Sequence, residues 1–319
     1  MTPNTTPSPL ILGCMNLGGS WTDEKLTPQA ITNTQDCVRT AIDEGITVFD
    51  HADIYCLGKS EEAFGYIWSD LGVHRDSIVL QTKCGIRRSG DPTPDSPHRL
   101  DLSYDHIISS VHRSLDRLKT DYVDILLLHR GDVLMEPDEV GRAFTDLRDQ
   151  GLVWQFGVSN FNASQIELLQ SHLSDPLVAD QLEFNLLHAD LIDEGVTMNN
   201  AAQRLRHIGD GTLEYCQRKD IVVQAYSPIA KGSLTAVADD ADERLTEAAA
   251  AVNSMAEAKG VSAEAIMIAW ILRHPAGIRP VIGTTRPGRI RSISAGARVD
   301  LTREEWYTLY LAGRGRDIP

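Results

Sequence analysis

Eight short apolar runs, each followed by a stretch whose apolar residues recur at helical spacing, succeed one another along the 319-residue chain. They cover residues 10–17, 46–50, 78–83, 123–129, 153–159, 178–183, 221–226 and 279–283. This alternation constrains the fold strongly, because an intervening helix is the crossover that lets consecutive strands run parallel. Cys37, Val38, Ala41 and Ile42 carry the helical period after the first run, and Ile107, Ile108, Val111, Leu115 and Leu118 carry it after the third. Asn162 with Gln165, Ser262, and Thr302 with Glu305 are capping signals at helix starts, and Ser103 stands at another. Length alone suggests about two domains, but eight units in a chain of this size point to a single-domain α/β fold, a (β/α)8 TIM barrel. An open doubly wound sheet that binds a dinucleotide usually shows Gly-x-Gly-x-x-Gly after its first strand, and the Gly18-Gly19 pair here lacks that spacing. Residues 1–9 read as a flexible N-terminal tail ahead of a barrel over 10–319. Two connections, around 84–102 and 185–211, are longer than the roughly two to six residues usual after a strand.

The net charge of -15 argues against nucleic acid as a partner, since binding a polyanion draws on clustered Lys and Arg. One region reverses the sign: Arg279, Arg286, Arg289, Arg291 and Arg298 fall in a stretch with no acid, which suits a small anion. The five cysteines form no Cys-x-x-Cys pair and read as reduced thiols of a cytoplasmic protein. The N-terminus has no basic and apolar regions of a secretory signal, and no apolar run approaches the ~20 residues that cross a bilayer, so no membrane partner is expected. His-Glu-x-x-His and Gly-x-Ser-x-Gly are both absent, which leaves no metal site and no nucleophilic serine to expect.

The chemistry sits where the apolar runs stop. One run ends at Asp50 and passes to Tyr55, the next ends at Lys83, another at His129, and another at Ser159-Asn160. In a parallel barrel all strand C-termini face one mouth, so Asp50, Tyr55, Lys83 and His129 can converge. An ammonium ~4 Å from a phenol contributes about 4 kcal/mol at an effective dielectric of ~20, equivalent to roughly three pK units. That reading has Lys83 lowering the pKa of Tyr55 against partial opposition from burial, making the phenol a general acid. Asp50 would hold Lys83 charged and aimed, and His129 would donate to a substrate oxygen. Each residue alone has a plainer role: His129 a satisfied structural histidine, Asp50 and Lys83 a structural ion pair, Tyr55 a loop anchor, Tyr226 packing beneath a loop. Their coincidence at four strand ends favours the chemical reading. Acid plus oxygen clamp without a nucleophile suits carbonyl reduction, with the hydride brought by another molecule.

Phe49-Asp50-His51-Ala52-Asp53-Ile54-Tyr55, Gly58-Lys59-Ser60-Glu61-Glu62, Thr82-Lys83-Cys84 and Leu126-Leu127-Leu128-His129 are followed in order by four further motifs. These are Gly157-Val158-Ser159-Asn160-Phe161, Gln181-Leu182-Glu183-Phe184-Asn185, Ala225-Tyr226-Ser227-Pro228 and Val281-Ile282-Gly283. With them the chain resembles the aldo-keto reductases over nearly its whole length. The resemblance implies a barrel that binds NADPH in extended form, with Asp50, Tyr55, Lys83 and His129 as catalytic tetrad and Tyr55 as proton donor. It implies that Ser159, Asn160 and Gln181 hold the nicotinamide carboxamide and that Tyr226 stacks on the ring. Ser227, Pro228, Gly232 and Leu234 would line the pyrophosphate, and Gly283, Thr284, Thr285, Arg286 and Arg289 would take the adenosine phosphate end. The arginines favour NADP, because a planar guanidinium bonds a phosphate bidentately. The chain departs from the pattern at Cys56, where glycine is common, at Ser292 and Ile293, where a Glu-Asn pair often stands, and over 185–211. The expected activity is NADPH-dependent reduction of a small-molecule aldehyde or ketone. The alternative is a nicotinamide-binding regulatory subunit with little turnover, and a phosphate-binding barrel lyase or isomerase is a weaker rival. No sequence signature specifies an oligomeric state or one particular substrate.

Overall fold

A computed structural model describes residues 8–68, 72–198, 200, 209, 211–238 and 240–319. Residues 1–7 of the expected tail, and 199, 201–208 and 210 of the long connection, lie outside the described residues. The barrel strands are β1 (Ile11–Gly13), β2 (Val48–Asp50), β3 (Val79–Cys84), β6 (Val123–Leu128), β7 (Val153–Ser159), β8 (Leu177–Glu183), β9 (Val222–Tyr226) and β10 (Arg279–Ile282). They close in sequence order, each parallel to both neighbours, with β10 returning to β1. The two remaining strands, β4 (Ile86–Arg87) and β5 (Arg99–Leu100), make an antiparallel pair in the long connection after β3. The expected single closed barrel is the observed architecture.

Side chains two apart share a face of a strand, and this decides what fills the barrel. Ile11, Val48, Val79 and Val281 form a compact apolar cluster of their own. One pleat further along β2 stands Asp50, and along β3 stand Gln81 and then Lys83, all buried. The interior therefore changes from apolar to polar within one step toward the C-terminal ends. Residues of opposite parity, among them Leu12, Phe49 and Leu80, belong to the larger core between barrel and helices.

Local signals are met with few exceptions. Asn162–Gln165 and Thr302–Glu305 form complete capping boxes, and the Ser262 hydroxyl accepts from the Ala265 N–H. Ser103 precedes the helix Tyr104–Leu118, but its hydroxyl donates to Asp101 Oδ1 at 2.6 Å instead of capping. The first strand is far shorter than the apolar run 10–17, because the chain turns after Gly13 with the Leu17 N–H bonded to Cys14 O. In the connection after β8, the helix Asp190–Val196 is fastened to the C-terminal helix Arg303–Arg314. Buried Asp193 accepts from the Tyr310 hydroxyl and from Arg314 Nε at 3.0 Å.

Candidate active site

Asp50 closes β2 opposite Gln81 in register, so Lys83, two residues on, rises on the same face just above the carboxylate. Lys83 Nζ lies 2.7 Å from both Asp50 oxygens, 2.9 Å from His51 O and 3.1 Å from the Tyr55 hydroxyl. Lys83 is 1% exposed and Asp50 2%. Burial works to lower the pKa of Lys83, but Asp50 and then Tyr55 outweigh it and hold the ammonium above its ordinary value. Tyr55 behaves differently from the sequence expectation. Burial pushes its phenol up, Lys83 pulls it down, Asp50 pushes it up again, and the net shift is upward. The ammonium beside the phenol is already neutralised by a carboxylate, so the field reaching Tyr55 is nearer a dipole's than a point charge's.

The short helical turn Tyr55–Gly58 carries the phenol, with Cys56 at φ 46° and Leu57 at φ 64°. Left-handed backbone explains why the resemblance sets a glycine at position 56. Here the Cys56 side chain is fully buried and its thiol donates to Met15 O at 3.2 Å, tying the loop after β1 to the loop bearing Tyr55. Trp21, on that same first loop, is 46% exposed and donates to Asn16 Oδ1 at 3.3 Å.

His129 follows β6 directly, and its N–H still bonds Cys84 O at 2.8 Å. Its ring meets Tyr55 edge-on with centroids 5.9 Å apart. Burial first, then the charges of Lys83 and Arg130, lower its pKa to about 3, so the imidazole is neutral at physiological pH. Its Nδ1 is buried and has no hydrogen-bond partner. The four residues expected to converge thus stand together.

Beside them lies a second polar group. Ser159 Oγ donates to Gln181 O at 2.8 Å, Asn160 Nδ2 donates to Ser159 Oγ at 2.9 Å, and the Tyr226 hydroxyl donates to Asn160 Oδ1 at 3.0 Å. Asn160 adopts φ 60°, a conformation asparagine tolerates. Gln81 and Gln224, absent from the sequence-derived site, fill the space between the groups. Gln81 Nε2 lies 2.5 Å from Asp50 Oδ1, and Gln181 Nε2 lies 3.0 Å from Gln224 Oε1. The signal for Gln81 was its spacing of two from Lys83 within a buried strand.

After β9 the chain turns through left-handed residues, Ser227 at φ 52°, Ala230 at 48°, Lys231 at 55° and Gly232 at 87°. Pro228 and Leu234 are buried beneath this turn. After β10 come exposed Gly283, half-buried Thr284 and Thr285, and exposed Arg286, which precedes the helix Pro287–Ser294. The stretch that is acid-free in sequence is not acid-free in space: Arg289 pairs with Glu264 at 3.2 Å. Arg286 has no carboxylate partner among the described residues.

Comparison with known proteins agrees with this geometry. A profile of the Aldo/keto reductase family matches residues 9–310. The oxidoreductase YcsN of Bacillus subtilis (strain 168) is 38% identical over 283 residues, 88% of each chain. The 6-dehydroglucose reductase of Agrobacterium fabrum is 36% identical over 287 residues, 90% of this chain and 89% of that one. A crystal structure of the thermostable aldo-keto reductase Tm1743 with the inhibitor epalrestat superposes with a TM-score of 0.75 at 25% identity, covering 98% of this chain and 97% of that one. Closed parallel barrel, converged strand-end residues and near-complete coverage by profile and relatives lead to one conclusion: this chain is an oxidoreductase belonging to the aldo/keto reductase family.

Proposed function

We propose that the protein reduces an aldehyde or ketone to the alcohol with NADPH, and that Tyr55 delivers the proton to the carbonyl oxygen. The observation that carries this reading is the Tyr55 hydroxyl 3.1 Å from a Lys83 ammonium that Asp50 grips through both oxygens. A dihydronicotinamide, when bound, supplies the hydride. The side chains do the rest. Neutral His129 with its proton on Nε2 leaves Nδ1 as a buried acceptor, not a buried unpaired donor, and offers the N–H to the carbonyl oxygen. Tyr55 then releases its proton to that oxygen. The phenolate left behind faces an ammonium at 3.1 Å, an attraction of about 5 kcal/mol at an effective dielectric of ~20. Lys83 is the group that makes proton release from a buried phenol affordable, with Asp50 keeping it charged.

The residues present fit an extended nicotinamide cofactor. Ser159, Asn160 and Gln181 offer a polar set of carboxamide size, and Tyr226 sits beside them. Gly283 and Gly288 have open space where a Cβ would stand, so backbone there is accessible to a ligand. Ser227, Pro228, Gly232 and Leu234 follow the Tyr226 strand toward the pyrophosphate. Gly283, Thr284, Thr285, Arg286 and Arg289 take the adenosine phosphate end. An unpaired guanidinium at Arg286 supports NADP. Five free, buried thiols suit a reducing compartment, the cytoplasm.

The relative named as a 6-dehydroglucose reductase directs the first substrate panel to sugar aldehydes beside simple ones. Tyr55→Phe is expected to lower turnover by roughly 10²–10⁴-fold, with NADPH binding, followed by fluorescence, almost unchanged. Persistent turnover in the variant would remove Tyr55 as the acid.

A further inference from the structure

Three glutamines cross the barrel interior between the Asp50–Lys83 pair and the Ser159–Asn160–Gln181 group. Gln81 on β3 reaches Asp50 Oδ1 through Nε2 at 2.5 Å and Gln224 Oε1 through the same nitrogen at 2.8 Å. Gln224 on β9 returns its Nε2 to Gln81 Oε1 at 2.8 Å. Gln181 on β8 donates Nε2 to Gln224 Oε1 at 3.0 Å. Exposures of 0%, 3% and 3% for Gln81, Gln224 and Gln181 leave little water to rescue a reversed amide. Amide orientation here is therefore dictated by partners, not free.

The dictation starts at one end. An ionised carboxylate accepts and never donates. Both Asp50 oxygens accept from the Lys83 ammonium at 2.7 Å, so Gln81 must turn its NH2 toward the carboxylate and its carbonyl toward Gln224. Gln224 must answer that carbonyl with its own NH2, which turns its oxygen to Gln81 Nε2 and to Gln181. Gln181 can meet that oxygen only through NH2. Its own Oε1 is then the atom left over, and no hydrogen bond from the described residues reaches it.

We propose that Gln81 and Gln224 are positioning residues that carry the acceptor-only character of Asp50 across the barrel, so that Gln181 offers a carbonyl oxygen, and not an N–H, to the cofactor carboxamide. This rests on the assignment of Gln181 to the carboxamide given above. The carboxylate that aims Lys83 at Tyr55 thereby also fixes which way round the carboxamide is held, with its NH2 toward Gln181. Proton donor and cofactor holder share one electrostatic reference.

The test is a fluorescence titration of wild type, Gln224→Met and Gln81→Met with NADPH and with its reduced 3-acetylpyridine analogue, whose ketone accepts but cannot donate. Wild type is expected to bind NADPH about tenfold more tightly than the analogue. In both variants that ratio is expected to fall to within about twofold, because Gln181 becomes free to turn over. A merely structural role would weaken both ligands alike. Retention of the wild-type ratio in a variant with normal circular dichroism overturns the proposal, as does a wild type that binds NADPH without preference. If Gln224→Met does not fold, Gln81→Met decides alone, since it cuts the line at Asp50 and keeps the Gln224–Gln181 bond. Failure of the underlying reading looks different: wild type would bind neither nucleotide.

Discussion

Removing the ammonium alone and removing it together with its carboxylate separate what the buried pair does for folding from what it does for chemistry. At 2.7 Å and an effective dielectric of ~20 the pair attracts by about 6 kcal/mol, which is offset by several kcal/mol of desolvation for each ion. Lys83→Met leaves Asp50 with the Gln81 amide as its side-chain donor, and strips His51 O and the Tyr55 hydroxyl of a partner. Breaking such a pair costs about 3–5 kcal/mol. Unfolding entropy of roughly 2.1 cal/mol/K per residue over 319 residues converts that to a drop in Tm of about 4–7 °C. Asp50→Asn combined with Lys83→Met replaces the stranded charge by a neutral amide, and is expected to recover at least about 2 kcal/mol of the loss. Turnover, read as single-turnover oxidation of NADPH by an aldehyde, is expected to stay down at least ~10²-fold in single and double variants alike. Two results would refute the reasoning. A double variant as unstable as Lys83→Met would mean that the stranded carboxylate is not the cost. A double variant that regains turnover along with stability would mean that the activity lost was only folding.

Three further perturbations bear on other parts of the molecule. Arg286→Ala is expected to weaken NADPH at least about tenfold while NADH changes little, and Arg289→Ala to do less because Glu264 already pairs with it; equal losses for both nucleotides in Kd measurements would refute the phosphate assignment. Asp193→Ala removes the carboxylate that Arg314 Nε and the Tyr310 hydroxyl share, while Arg314 Nη1 keeps Asp317 O at 2.7 Å, and is expected to cost about 1–3 kcal/mol in urea unfolding; a loss below about 0.5 kcal/mol would show that the clamp is idle. Burial lowers His51 and His129 to about 3 and His106 to about 4, so between those values and an unfolded pKa near 6.5 the unfolded chain binds protons the folded chain does not. Their contribution is complete above about pH 6.5 and is lost on acidification. Burial raises Asp53 to about 7 and raises Asp180 as well, which acts in the opposite sense, but the lowered imidazoles, His274 among them, outnumber the two carboxyls. Stability is therefore expected to fall on acidification from pH 6 to 5, and a rise in urea midpoint over that interval would contradict the burial of these rings.

How far the sequence reaches is visible residue by residue. The strand Val153–Ser159 matches its apolar run at both ends, since its cue is local and shows within one window. The convergence of Asp50, Tyr55, Lys83 and His129 follows from topology once eight parallel strands are accepted, and in the folded chain Lys83 Nζ reaches the Tyr55 hydroxyl and the His129 ring meets that of Tyr55. What escaped depended on distance or burial. Gln81 and Gln224 are 143 positions apart, and each reads singly as an ordinary polar residue of a strand. Glu264 stands 25 positions from Arg289, outside the stretch whose composition looked acid-free. The phenol of Tyr55 moved up and not down because the neutralisation of Lys83 and the loss of solvent are properties of the packed site.

A barrel interior filled throughout by residues such as Ile11, Val48, Val79 and Val281 would be expected to fold at least as well as this one. A buried ion pair is on balance no better for stability than an apolar pair of like volume, and each buried glutamine gains only about 1 kcal/mol from a hydrogen bond once water is accounted for. Asp50, Gln81, Lys83, Gln181 and Gln224 are nevertheless all inside, all at the C-terminal end, and all joined in one line from Tyr55 to Gln181. Stability cannot be the reason for that arrangement, because the apolar layer one pleat below meets the same packing requirement without desolvating an ion. What the polar layer supplies, and the apolar layer does not, is direction: a carboxylate with one acceptable orientation for every donor that touches it. The end of the barrel that departs from the best packing is the end where, in the proposed reaction, a proton and a hydride reach one carbonyl group from set positions.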